Sequence, residues 1–132
     1  MGLRPLGIDH VVIRTVDHAA MMAFYQDVIG CNLERTQAAI GLYQLRCGAA
    51  LIDLVPVDGK LGRMGGAAPG PEGRNMDHLC LRIEDFDAGQ VRAHLESHGV
   101  VVGEEGLRYG STGEAVSIYL ADPDGNVLEL RG

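Results

Sequence analysis

Apolar positions in this chain follow strand and helix periods that recur in the same order in its two halves. Residues 8–14 (Ile-Asp-His-Val-Val-Ile-Arg) are rich in β-branched types and bounded by Pro5, Gly7 and Asp17, which predicts a strand. Behind Asp17, a natural N-cap, Ala20, Met21, Phe24, Tyr25 and Val28 recur at helical spacing until Gly30 stops the run. A weak strand near 32–38, a better one at 40–46 and a strong one at 50–57 follow, with Gly48 turning between the last two.

Between 58 and 74 the periodicity is lost. Gly59, Gly62, Gly65, Gly66, Gly70 and Gly73, together with Pro69 and Pro71, mark a long loop or linker, expected to act as a lid or a mobile connector. The pattern then restarts. Residues 76–83 (Met-Asp-His-Leu-Cys-Leu-Arg-Ile) predict a strand, and Asp85 or Asp87 a cap. Val91, Leu95 and His98 mark a helix face ended by Gly99. Val100 to Val102, Leu107 to Tyr109 and Val116 to Ala121 read as strands. Asp122-Pro-Asp-Gly-Asn is a turn, since Pro pre-sets φ and Gly accepts a positive one. Val127 to Arg131 is the last strand.

Laying 8–20 over 76–88 brings Asp9 onto Asp77, His10 onto His78, Arg14 onto Arg82, Asp17 onto Asp85 and Ala20 onto Ala88. With a shift of register, Leu51-Ile-Asp-Leu54 lies over Val127-Leu-Glu-Leu130, so Asp53 matches Glu129. The polar residues that interrupt the apolar runs are the ones that coincide, which points to an internal duplication. The expected organisation is a single domain over 1–132: module one at about 6–58, a linker at 59–74 and module two at about 75–132.

Side chains alternate across a strand, so His10 shares a face with Val12 and Arg14, and His78 with Cys80 and Arg82. Asp53 sits with Leu51 and Val55, and Glu129 with Val127 and Arg131. The opposite faces, Ile52 and Leu54, Leu128 and Leu130, are apolar and suit packing on the helices. Two such modules facing each other would bring two imidazoles and two carboxylates into one cavity. That donor set suits one divalent ion, with room left for water or substrate; Ni, Zn, Co, Fe or Mn all fit. A lone mid-strand histidine is more simply a core residue; the matched set His10, His78 and Glu129 is what favours a metal.

Composition narrows the setting. Over 132 residues, 46% hydrophobic and 22% charged is the profile of a folded protein with a real core. With no Trp, two Phe and four Tyr, that core rests on aliphatic residues and Met. A net charge of -7 without clustered Lys or Arg argues against nucleic acid. No apolar stretch reaches the roughly 20 residues that span a bilayer, and residues 1–7 hold no signal core, so a cytoplasmic protein is expected. Cys31, Cys47 and Cys80 form no CxxC and no disulfide framework, and read as free, partly buried thiols.

The segments Ile8-Asp-His10, Phe24-Tyr25, Gly30, Met76-Asp-His78 and Asp122-Pro-Asp-Gly-Asn-Val-Leu-Glu129-Leu together resemble the vicinal oxygen chelate superfamily of glyoxalase I, methylmalonyl-CoA epimerase, extradiol dioxygenases, fosfomycin-resistance enzymes and bleomycin-binding proteins. The resemblance spans almost the whole chain; its motifs are specific for the superfamily and weak for any one member. It implies an α+β fold of two tandem βαβββ modules, a curved mixed sheet around a metal cavity with the helices outside. Metal ligands fall on His10, His78 and Glu129. Glyoxalase-like members carry Glu, and epimerase-like members Gln, where this chain has the shorter Asp53. That residue is open between a ligand, a contact through water, a base beside the metal and a bystander.

The activity implied is that of a lyase or isomerase. The metal acts as a Lewis acid that stabilises an enediolate of a small carbonyl substrate, and Glu129 or Asp53 moves the proton. Short members usually dimerise, which implies a homodimer. Two rivals stand beside this reading: an Fe(II) dioxygenase using His10, His78 and Glu129 as a facial triad, and a metal-free binding protein for a drug or metabolite. Arg14 and Arg82 are candidate clamps for an anionic substrate, and Tyr119, with Tyr109 and Ser117, a candidate pocket residue. His94 and His98, at helical spacing, read as solvated helix-end residues, His18 as a surface residue and Cys80 as core packing.

Overall fold

A computed structural model describes residues 1–132. Contacts divide them into two compact units, Met1–Pro69 and Gly70–Gly132. Each unit carries one four-stranded mixed sheet and one main helical segment.

In the first unit, β1 (His10–Thr15) leads to α1 (His18–Ala23), then β2 (Asn32–Gln37), β3 (Leu42–Cys47) and β4 (Ala50–Pro56). The sheet order is β1-β4-β3-β2, with β1 and β4 parallel and the rest antiparallel. Asp17 caps α1 by accepting from the Ala20 N–H at 3.2 Å. The helix then widens into a π-turn over Phe24–Val28, which seats Tyr25 in the core, and Gly30 leaves it at φ 90°. Ile13, Met21, Phe24, Leu45, Ile52 and Leu54 complete that core. The interior is mainly aliphatic, as composition predicts, but Met21 is its one buried methionine.

The second unit repeats the plan. β5 (Leu79–Arg82), α2 (Ala88–Ser97), β6 (Glu105–Gly110), β7 (Gly113–Ala121) and β8 (Val127–Arg131) give the order β5-β8-β7-β6, again with one parallel pair, β5 and β8. Asp87, not Asp85, caps the helix by accepting from Gln90 N–H at 2.9 Å. Leu95, Ile118, Leu120, Leu128 and Leu130 form the core, so the apolar faces of both closing strands are buried as their alternation predicts. The tandem βαβββ architecture is therefore present, with one sheet per module.

Three expectations change. Val100 to Val102 is not a strand: Val100 N–H is used by Leu95 C=O in ending the helix, and Val101 is exposed. The strand expected from residue 76 begins only at Leu79, which leaves His78 on the approach to it. The glycine-rich segment is not featureless. It holds a 3₁₀ turn at Gly62–Gly65 and a bridge between Gly70 and Gly73. A Cβ on Gly62 would overlap the Pro56 carbonyl, and one on Gly65 the Arg14 side chain, so close approach explains two of its glycines. No helix is long and apolar enough to cross a membrane.

Candidate functional site

Glu129 lies on β8, the central strand of the second sheet that is flanked by β5 and β7. Pairing sets Cys80 beside it on one side and Tyr119 on the other. Ser117 shares the Tyr119 face because it stands two residues earlier on β7. The result is a carboxylate cradled by hydroxyls: Ser117 donates to Oε2 at 2.6 Å and Tyr119 to Oε1 at 2.9 Å. His78 Nε2 stands 3.1 Å from Oε1. Glu129 is only 5% exposed. Burial pushes its acidity the other way, but donation from Ser117, Tyr119 and Cys80 and the charge of His78 outweigh burial and hold the carboxyl below its ordinary range.

The imidazole of His78 is itself oriented. Its Nδ1 is 2.6 Å from an Asp77 carboxylate oxygen, which leaves Nε2 to face Glu129. His10 has the same arrangement with Asp9, also at 2.6 Å. The repeated Asp-His dipeptide therefore has a physical meaning: each carboxylate grips the nitrogen that a ligand would not use, the arrangement by which proteins fix the tautomer and raise the basicity of a metal-binding histidine. The bond to Asp9 is the main reason the His10 pKa is raised, and the bond to His78 the main reason the Asp77 pKa is lowered.

The first unit holds the counterpart carboxylate. Asp53 on β4 is 3% exposed, and β3 sets Gln44 beside it as β7 sets Tyr119 beside Glu129. Gln44 Nε2 reaches both Asp53 oxygens, at 3.4 and 3.3 Å, which are long bonds. Val12 pairs with Asp53 where Cys80 pairs with Glu129. Asp53 thus has an amide and an aliphatic neighbour, with its charge also felt by His10, whereas Glu129 has two hydroxyls, a thiol and an imidazole in contact.

One pair of donors is spaced as two ligands of a divalent ion would be. Two ligand atoms, each about 2.1 Å from one ion at an angle between square and tetrahedral, stand about 3.0–3.4 Å apart, and the separation of His78 Nε2 from Glu129 Oε1 falls in that range. No three His, Cys, Asp or Glu side chains gather into a ligand group.

The remaining candidates divide. Tyr119 is a direct partner of Glu129 and carries the Arg108 guanidinium over its ring, 5.6 Å from the centroid. Arg14 is bound to the glycine-rich loop. Its Nε and Nη2 donate to Gly62 C=O, Nη2 also to Gly66 C=O at 2.7 Å, and Nη1 to Ala67 C=O at 2.9 Å. Arg82 ends β5 and is exposed, as is Tyr109 on β6.

Several side chains stand elsewhere than expected. Cys80 is exposed and bonded to Glu129 instead of packed in the core. His18 is half-buried, its ring 4.1 Å from that of Tyr43, because the short helix is pressed against its sheet. His94 and His98 are the solvated helix-end pair expected, with ring centroids 4.8 Å apart. Gln44 and the Asp9 and Asp77 grips went unread; only the identity of the Asp-His dipeptides signalled the latter.

A family model of the Glyoxalase/Bleomycin resistance protein/Dioxygenase superfamily matches residues 7–130. The chain is 31% identical over 129 residues to YaeR of Escherichia coli, covering 93% of each protein. It is 32% identical over 124 residues to the glyoxalase domain-containing protein RDO1 of Mycosarcoma maydis, covering 93% of this chain and 66% of that one. The crystal structure of the virulence protein STM3117 from Salmonella typhimurium superposes with a TM-score of 0.81 at 25% identity, over 98% of both chains.

Proposed function

The chain belongs to the Glyoxalase/Bleomycin resistance protein/Dioxygenase superfamily, and on that premise we propose a divalent-metal-dependent enzyme of the lyase or isomerase type. It moves a proton beside the carbonyl of a small oxygenated substrate. One observation carries this reading: a buried carboxylate kept ionised by Ser117 and Tyr119, 3.1 Å from the Nε2 of a histidine whose other nitrogen is gripped by Asp77. A merely structural glutamate would not need an oriented imidazole beside it.

His78 and Glu129 supply two donors, and a resident ion takes more; His10 is the third ligand proposed, with Asp53 outside the set. The ion, when bound, supplies Lewis acidity to a substrate oxygen and so makes the neighbouring C–H more acidic. Glu129, fixed by its donors and kept anionic, balances charge. Asp53 is held only by the long bonds from Gln44, so it is the carboxylate assigned to take the proton from carbon and return it. Arg82, exposed at the end of β5, is assigned to an anionic part of the substrate.

A second reading rests on Gln44. Its amide reaches both oxygens of a carboxylate already one methylene shorter than glutamate. If that holds Asp53 away from the ion, His10, His78 and Glu129 remain as the two-histidine, one-carboxylate set of non-haem Fe(II) oxygenases.

The test is elemental analysis of the purified chain and of His78→Ala and Glu129→Gln variants, with C–H exchange in D₂O followed by NMR across small ketones, hemithioacetals and thioesters. About one equivalent of metal, lost in both variants, with exchange that follows the metal, supports the lyase or isomerase. Oxygen uptake dependent on Fe(II), without exchange, supports the second reading. No metal bound, even after adding it back, sinks both and leaves a metal-free binding protein.

A further inference from the structure

Cys31 and Cys47 are separated in sequence but meet in the first unit. The β2–β3 ladder pairs Asn32 with Arg46 and Leu33 with Leu45, so one step further along the same register Cys31 faces Cys47. The two thiols share a hydrogen bond. Directly opposed residues of an antiparallel pair have Cα atoms about 4.5–5.5 Å apart, inside the roughly 4.4–6.8 Å that a disulfide spans. Both ends of this pair are fixed. Cys31 N–H donates to Tyr25 C=O at 2.8 Å, where the chain leaves the π-turn, and Cys47 pairs with Ala50 across the Gly48 turn. The neighbouring Arg46 is paired with Glu34 across the same two strands at 3.0 Å. Closing the bond therefore asks for a turn of side chains and no movement of strands.

We propose that Cys31 and Cys47 are a reversible thiol–disulfide site whose oxidising partner is a low-molecular-weight disulfide of the glutathione class.

The two sulfurs differ in a way that orders the reaction. Cys31 is buried and Cys47 partly open, so Cys47 is the one a small disulfide reaches. The shared hydrogen bond also lowers the Cys47 thiol to about 7 and, with burial, raises that of Cys31. A partly open thiolate beside a second thiol is the arrangement of reactive cysteines. Cys47 thiolate attacks one sulfur of RSSR, forms the mixed disulfide Cys47–S–SR and releases RS⁻, which takes up a proton. Cys31, no longer facing a thiolate, gives up its proton and attacks the Cys47 sulfur. The Cys31–Cys47 bond forms and the second RSH leaves. Two protein thiols are oxidised and one RSSR is reduced to two RSH. Cys80 takes no part; desolvation of its sulfur and the nearby Glu129 push its thiol up to about 11.

The test uses the full chain, equilibrated in buffers of graded reduced-to-oxidised glutathione ratio, quenched with acid and read by intact mass and non-reducing peptide mapping. The expected parent loses two hydrogens in one transition, with a single cross-linked peptide pair containing residues 31 and 47 and an unmodified Cys80. Cys31→Ser is expected to halt at one glutathione adduct on Cys47, and Cys47→Ser to take up little. A parent that keeps three thiols at every ratio while its circular dichroism is unchanged overturns the proposal. So does a stable adduct on the parent, or a cross-link to Cys80. The parent measurement decides the matter even if a serine variant fails to fold.

Discussion

The two modules repeat one backbone plan but dress the central carboxylate differently, and the difference separates a group gripped by strong donors from one held by a single amide. Strand order, the parallel first-to-last pair and the cross-strand neighbour of the carboxylate correspond. In module two that neighbour is Tyr119, joined by Ser117, and Glu129 is locked as an anion beside His78. In module one it is Gln44, and the register places Leu42 where Ser117 would be, so Asp53 is buried with one weak amide donor. Duplication alone would give both carboxylates one setting; their neighbours give them two.

The strongest break in this comparison is at the carboxylates themselves. Glu129→Gln is expected to abolish metal retention on gel filtration and, with it, turnover. It also exchanges an acceptor for an amide facing two hydroxyl donors, at about 1–3 kcal/mol in denaturant melts. Asp53→Asn is expected to keep the metal and lower kcat by about 10²–10⁴-fold, the usual size of a lost proton carrier. Metal lost equally from both variants would mean that Asp53 is a ligand like Glu129 and that the modules are functionally symmetric. Full turnover in Asp53→Asn would favour the Fe(II) reading.

The neighbours sharpen the comparison at a smaller scale. Tyr119→Phe with Ser117→Ala removes both hydroxyls from Glu129 and is expected to weaken metal affinity about 10–100-fold, the range for outer partners of a ligand. Titration with a competing chelator measures it. Gln44→Leu on module one is expected to move affinity by less than threefold, because Asp53 is not assigned to hold the ion. Equal shifts from the two substitutions would contradict the division of roles.

How much of this was legible in the residues follows from what each signal depends on. Strand alternation and caps are local, so β1, α1, β4, β7 and β8 could be read, as could the duplication, because Asp-His and the closing Asp53 and Glu129 break apolar runs at matched places. The hydroxyl cradle and the Cys31–Cys47 encounter depend on which strand lies beside which, and on register, which no window of one strand contains. Val100 to Val102 misled for a related reason: β-branched residues after a helix favour a strand, but the helix end takes the Val100 N–H. The linker looked empty because Gly65 makes room for Arg14, and Gly62 for the Pro56 carbonyl, neither of which its own window contains.

That arginine supplies the finest test of the comparison, because Arg14 and Arg82 coincide in the repeat and not in use. Arg14 holds three carbonyls of the 62–67 loop with one guanidinium, and bonds to a charged donor are worth about 1.5–3 kcal/mol where water is partly excluded. Arg14→Ala is expected to cost about 1–2 kcal/mol in stability and to speed hydrogen exchange across that loop before any other segment. Arg82 is exposed and has no such loop to hold, so Arg82→Ala is expected to change stability by less than about 0.5 kcal/mol. If it meets an anionic substrate, the loss appears instead as a higher KM at nearly constant kcat, and the effect shrinks with added salt. Equal destabilisation by the two alanines would show that module two braces a segment with Arg82 as module one does with Arg14. Unchanged KM in Arg82→Ala would remove the arginine from the substrate and leave its match in the repeat as ancestry alone.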